Sequence, residues 1–162
     1  MLLIDYQTIL WGRGSRMKTL KILLMGIIPI LCGFLLHYII IYFHMVPTWL
    51  SVVLLFLWGV LAYKLFEPND NKLIFSCMIN GVGIVMLLLA LFQELVLGRY
   101  WFNLAGTLPQ MYFLPCLNAA EYIVLIFTGE MLFPVYHIIE FILMFVVSIL
   151  GCIVKEKTVR GD

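Results

Sequence analysis

Between Glu130 and Phe141 the chain reads EMLFPVYHIIEF, placing two carboxylates and an imidazole inside an otherwise apolar run. Charged groups in hydrocarbon are costly, so their presence marks a functional or bracing role. Taken as a helix at 100° per residue, Glu130, Pro134 and His137 fall within about 60° of one another, and Glu140 stands about 60° beyond His137. The result is one broad polar stripe that must face a helix bundle or a polar connection. Pro134 lacks an N–H, so it leaves the carbonyl of Glu130 without its usual donor and predicts a kink there.

Three chemistries suit such a set. The His137/Glu140 spacing of i, i+3 puts two metal-ligand types on one face. Di-iron bundles, however, use Glu-x-x-His from two helices with further Glu residues, and here the order is reversed and occurs once. The favoured arrangement is a structural pairing of His137 with a Glu or with Arg99. No metal or cofactor is expected. A His/Glu acid–base pair acting on a lipid headgroup is a second use. Hydrolase signatures are absent: the sequence contains no G-x-S-x-G and no H-E-x-x-H. Asp5, Asp70 and Asp162 are the only aspartates and lie outside the apolar runs, which excludes an intramembrane aspartyl dyad. Ser51, Ser76 and Ser148 have no local activating pattern. No catalytic residue is assigned.

The third use is cation or proton coupling. His37, Glu94, Glu130, His137 and Glu140 form a candidate polar pocket, flanked by His44 and Glu121. Asn80, in SCMINGVG (Ser76–Gly83), is a candidate mid-membrane polar contact beside two glycines. Its bland reading is a small-residue packing face with an interhelical hydrogen bond; its sharper one is a substrate or ion contact in a broken helix. Lys64 reads as a snorkelling anchor, and Trp49, Tyr100 and Trp101 as interface anchors, with Trp58 packed in the bundle.

The elements that must position these groups are membrane helices. Hydrophobic residues make up 64% of the 162 and charged residues only 12%, against about 25% in soluble domains. Mean hydropathy is +1.10. Such a chain has too little polar surface to cover itself, and the fold class is all-α and polytopic. Crossing a core of about 30 Å takes roughly 20 helical residues, and four runs qualify: about 22–43, 48–66, 73–97 and 132–154. HMVP (His44–Pro47) and EPNDN (Glu67–Asn71) are short turns, so the first three spans are antiparallel neighbours.

Of the ten Lys and Arg residues, all but Arg99 fall on one side of this arrangement. The positive-inside rule makes that side cytoplasmic, so both termini are inside a cell (plasma) membrane. Residues 155–162 are a basic cytoplasmic tail. The stretch 99–129 precedes the last span and is apolar enough to enter the bilayer. A complete fifth crossing there would break the charge rule, so it reads as interfacial or re-entrant, broken near Asn118–Glu121.

Residues 1–16 read either as an extension preceding the true start at Met17 or as a short amphipathic tail on the inner leaflet. From Met17, MKTLKILLMG is an ordinary bacterial membrane-protein beginning. The first span is too long for a cleaved signal segment. The four cysteines (Cys32, Cys77, Cys116, Cys152) form no C-x-x-C. Cys32, Cys77 and Cys152 read as core residues, and Cys116 as the one that meets solvent.

No motif carries a family signature, and a net charge of +1 argues against a nucleic-acid partner. The expected partners are the lipid bilayer and a membrane protein or a second copy of the chain. The leading expectation is an accessory, immunity or assembly factor that binds a membrane partner or lipid. A small carrier or channel subunit with an outward-facing Glu/His cation or proton site comes next, and a lipid-active enzyme third.

Overall fold

The computed structural model describes residues 19–44, 48–101, 103–129 and 133–161, and every regular element among them is a helix. Residues 1–16 and Glu130 lie outside the described residues. Helix α1 covers Thr19–Phe43, with a turn at 26–27 ahead of Pro29, whose missing N–H breaks the ladder there. It ends at His44, which adopts the left-handed region (φ 57°) and donates its N–H to the Ile40 carbonyl. Helix α2 is Thr48–Leu65. Helix α3, Lys72–Ile79, is capped by the Asn71 side chain, which accepts from the Leu73 and Ile74 N–H groups at 2.9 and 3.2 Å. Helix α4, Gly81–Leu91, continues into a π turn at Phe92–Val96. Helices α5 (Leu104–Phe113) and α6 (Leu117–Thr128) are joined by a 3₁₀ turn, Leu114–Cys116, and α7 is Phe133–Arg160.

Four helical stretches are long and apolar enough to cross a membrane: Thr19–Phe43, Thr48–Leu65, Leu104–Phe127 and Val135–Arg160. The third run expected from sequence is not one straight helix. It is the pair α3 and α4, bent by 56° at Asn80. Asn80 leaves the α-helical region (φ −93°, ψ 9°) between two apolar segments.

Helix α7 is the ruler of the bundle. Its His137 meets Glu94, its Ser148 meets Asn80, its Cys152 approaches Ser76 and its Glu156 pairs with Lys72. It therefore runs antiparallel to α3 and α4 along their whole length. Helix α2 packs beside it more extensively than any other pair, with Gly151 set against the Gly59 carbonyl so closely that a Cβ would collide.

This ruler fixes the path of 104–128. Trp101 is held by Gln93, so Leu104 starts at the His137 end. Helix α7 also starts at that end. The four residues 129–132 reach at most about 17 Å. A straight helix over residues 104–128 would carry Thr128 about 36 Å away, so the stretch, though long and apolar enough to cross by length and composition, cannot run straight along the bundle. The change of direction is at the 3₁₀ turn Leu114–Cys116, where Pro115 removes a donor. Helix α5 enters between α1 and α4, and α6 returns along α7. The hairpin is seated by close approach. A Cβ at Gly33 would collide with the Met111 carbonyl, and one at Gly83 would lie 2.6 Å from the Tyr112 hydroxyl.

Two sequence expectations are corrected here. Cys116, expected at solvent, is buried at the hairpin apex, while Cys77, expected in the core, is exposed on the outer face of α3. The kink expected where Pro134 frees the Glu130 carbonyl falls on residues 130–132, which lie outside the described residues.

Candidate functional site

The geometry converges on His137. Its Nδ1 lies 2.9 Å from Glu140 Oε2, one turn along α7, and its Nε2 lies 3.6 Å from Glu94 Oε1. The Tyr100 hydroxyl is 3.4 Å from the same Nε2. From the hairpin, the Phe113 ring covers the imidazole with centroids 5.2 Å apart at 34°. Glu140 is wholly buried, and the side chains of Glu94 and His137 retain only 7% and 12% of their exposure. Among the described residues, both oxygens of Glu94 and Oε1 of Glu140 have no hydrogen-bond donor.

Three local features bring this about. The i, i+3 spacing stacks Glu140 over His137 on one face of α7. The π turn Phe92–Val96, closed by the Leu97 N–H on the Phe92 carbonyl, sets Glu94 toward the same ring. Gln93, also wholly buried, accepts the Trp101 N–H at 3.0 Å and donates to the Leu89 carbonyl at 3.3 Å. Its own carbonyl takes the Arg99 N–H at 3.2 Å. Gln93 thus folds the chain over the end of α4 and delivers Tyr100 to His137. π turns are rare and recur at functional positions.

The two carboxylates grip different ring nitrogens, so their oxygens diverge rather than meeting at one point. Among the described residues no three His, Cys, Asp or Glu side chains converge to hold a metal ion. What the arrangement can do is hold protons. Two carboxylates face one imidazole, so even the imidazolium leaves one negative charge unmatched unless a carboxyl keeps its proton or a cation enters. Burial makes that imbalance expensive.

The other candidates lie apart. His37 is exposed on the outer side of α1, away from the trio, and Arg99 is exposed. Glu130 lies outside the described residues. Asn80 forms its own node: Trp58 Nε1 donates to its Oδ1 at 3.3 Å, while its Nδ2 donates to the Ser76 carbonyl at 2.8 Å and the Ser148 hydroxyl at 2.9 Å. Ser148 in turn donates to the Phe145 carbonyl at 2.7 Å. This wholly buried node ties α2, α3 and α7 together at the bend. Its amide already has partners on both sides, which favours the interhelical-bond reading over an ion contact.

Tyr100 and Phe113 were not legible as site residues. Tyr100 reads as an interface anchor, and only the Gln93 clasp turns it inward. Comparison with protein-family models, curated proteins and solved structures finds no match to this chain.

Proposed function

We propose that the protein is an integral membrane protein of four crossings, formed by α1, α2, the bent α3–α4 pair and α7. The 104–128 hairpin re-enters from the outer side, and both ends of the described chain face the cytoplasm of a plasma-membrane-bounded cell. Charge supports this reading. Lys21, Lys64, Lys72, Lys155, Lys157 and Arg160 belong to the Lys72–Glu156 end of the bundle, and Arg99 to the His137 end. The positive-inside rule makes the first end cytoplasmic.

Within that frame we propose a small carrier or channel subunit whose Glu94–His137–Glu140 trio is an outward-side cation or proton site. One observation carries this. A bracing pair needs one carboxylate, yet two are buried on one imidazole, with no Lys or Arg in the network among the described residues. The second carboxylate adds desolvation cost without a counter-ion, and a bound proton or cation offsets it.

The test is flux. Purified protein in liposomes loaded with a pH-sensitive dye should acidify the lumen under an imposed potassium diffusion potential. Glu140→Gln and His137→Ala should slow that flux by about tenfold or more. Wild-type rates no different from empty liposomes, or unchanged in both variants, would sink the carrier reading.

A partner-binding accessory role is the second reading. It is favoured by an open apolar groove of about 550 Å³ between α2 and α7, floored by Gly59 and Gly151 and flanked by Phe56, Tyr63 and Leu150. A transmembrane helix of a partner protein fits such a groove, since small residues admit close backbone approach. Co-purification of one stoichiometric membrane partner that is lost in Gly59→Leu supports it; partner-free monomer extracted in mild detergent speaks against it. The lipid-enzyme reading gains His137 within reach of a carboxylate, but none of the four cavities described is lined by the trio.

A further inference from the structure

A second feature is independent of the trio and lies toward the other end of the bundle. The open groove of about 550 Å³ between α2 and α7 is walled by Val52, Phe56, Val60 and Tyr63 on one side and by Leu150 and Val154 on the other. On α2 these positions follow one helical face, and Val52 and Tyr63 stand about 17 Å apart along the axis. On α7 the wall is confined to residues 147–154, within the half that leads to the Lys72–Glu156 end. Apart from the Tyr63 hydroxyl, its side chains are apolar. Phe56, Leu150 and Val154 are exposed, so the groove opens outward, where lipid lies in a membrane-spanning bundle.

The Tyr63 end of the groove is charged. Lys155 Nζ sits over the Tyr63 ring, 4.9 Å from its centroid, where the ring face attracts the cation. Among the described residues no carboxylate pairs with this ammonium. Glu156, its neighbour in sequence, is taken by Lys72 and Arg160. Lys64, exposed in the last turn of α2, adds a second positive charge at the same end.

We propose that the groove binds one anionic phospholipid, with an acyl chain between α2 and α7 and the phosphate on Lys155. Length supports the chain. Half of a hydrocarbon core of about 30 Å is about 15 Å, close to the length of the groove, so one leaflet's acyl chain fills it. A partner's crossing helix, the occupant in the second reading above, would need contact with α7 through both leaflets. Charge supports the headgroup. Basic pockets between membrane helices on the cytoplasmic side hold anionic headgroups, and a phosphodiester carries the one negative charge that Lys155 matches. The cation is placed by a ring of the groove wall itself, so one structure holds both tail and headgroup. This site rests on the membrane-spanning reading but not on the carrier reading.

The experiment uses full-length protein in a neutral detergent, with phosphatidylglycerol and phosphatidylcholine of identical chains as probes and native mass spectrometry as the readout. One phosphatidylglycerol should be held per chain in preference to phosphatidylcholine. Lys155→Gln should weaken that binding about fivefold, the effect of one lysine at a membrane surface. Lys157→Gln, about 200° round the helix from Lys155, should leave it unchanged. Leu150→Trp, at an exposed wall position, should fill the groove and abolish retention. Equal retention of the two lipids by the unmodified protein overturns the proposal without recourse to variants. Equal losses in Lys155→Gln and Lys157→Gln, retention that survives Leu150→Trp, or a stoichiometric membrane protein that excludes the lipid also overturn it. Failure of the membrane-spanning reading shows separately, as protein that stays soluble and monodisperse once detergent is removed.

Discussion

Glu94 and Glu140 stand on opposite sides of one imidazole, Glu140 2.9 Å from Nδ1 of His137 and Glu94 3.6 Å from Nε2. They come from helices that run antiparallel and are distant in sequence, so His137 is a cross-link as well as a titratable group. Removing it leaves two buried carboxylates with no base between them. His137→Ala should therefore destabilise the bundle by about 3–5 kcal/mol, read as a shift in the unfolding midpoint in mixed micelles. The double variant His137→Ala/Glu140→Gln should lose less than the sum of the single losses, because the second change removes the charge that the first left stranded. Strict additivity would show that the pair is not coupled.

Asn80 should behave as a mechanical tie rather than a ligand. It bonds to Trp58, Ser76 and Ser148 from three helices. Asn80→Leu removes those bonds in an apolar setting and should cost about 1–2 kcal/mol. Trp58 fluorescence should change in parallel, since its indole N–H loses its acceptor. An unchanged spectrum and midpoint would refute the tie.

The hairpin seat predicts a reactivity change. Cys116 is buried at the apex and should resist maleimide. Gly83→Val pushes against the Tyr112 hydroxyl and should speed Cys116 labelling by about tenfold, equivalent to about 1.4 kcal/mol of easier opening. Gly81→Ala is the control, because its Cβ would meet only the flexible Leu23 side chain at an ordinary 3.6 Å. Equal labelling in both variants would argue that Tyr112 does not seat the hairpin.

The path of the hairpin makes a sidedness prediction. In a cysteine-free background, single cysteines replacing Leu97 and Phe127 should react with a membrane-impermeant maleimide from one face. Those replacing Asn69 and Thr158 should react only from the other. Labelling of position 127 on the Asn69 face would mean that residues 104–128 cross the bilayer outright.

Periodicity and charge made much of this legible. Helical class, the Glu67–Asn71 turn, the segregation of basic groups and the His137–Glu140 pair all follow from local spacing, which a linear sequence displays directly. Glu94 was legible only as a candidate, because its approach depends on a π turn that has no marker in residue type. His37 sits at a depth consistent with the trio but on the wrong face of α1, and depth carries no information about azimuth. The reversal near Leu114–Cys116 lies a few residues before the break suggested by Asn118 and Glu121. The polar residues drew the eye, whereas Pro115 and the 3₁₀ segment around it make the turn. The misplacement of Cys116 follows from the same error.

The π turn at Phe92–Val96 makes the site detachable from the scaffold. It holds one residue more than a regular turn would need, so deleting a single residue between Leu91 and Leu97 would restore an uninterrupted ladder and rotate everything beyond it by about 100°. The apolar length would hardly change, but Glu94 and Tyr100 would no longer share a bearing on His137. A chain lacking that one residue would keep the bundle and lose its acidic centre, so presence or absence of this insertion is a one-residue marker for sorting functional from merely structural versions of the fold.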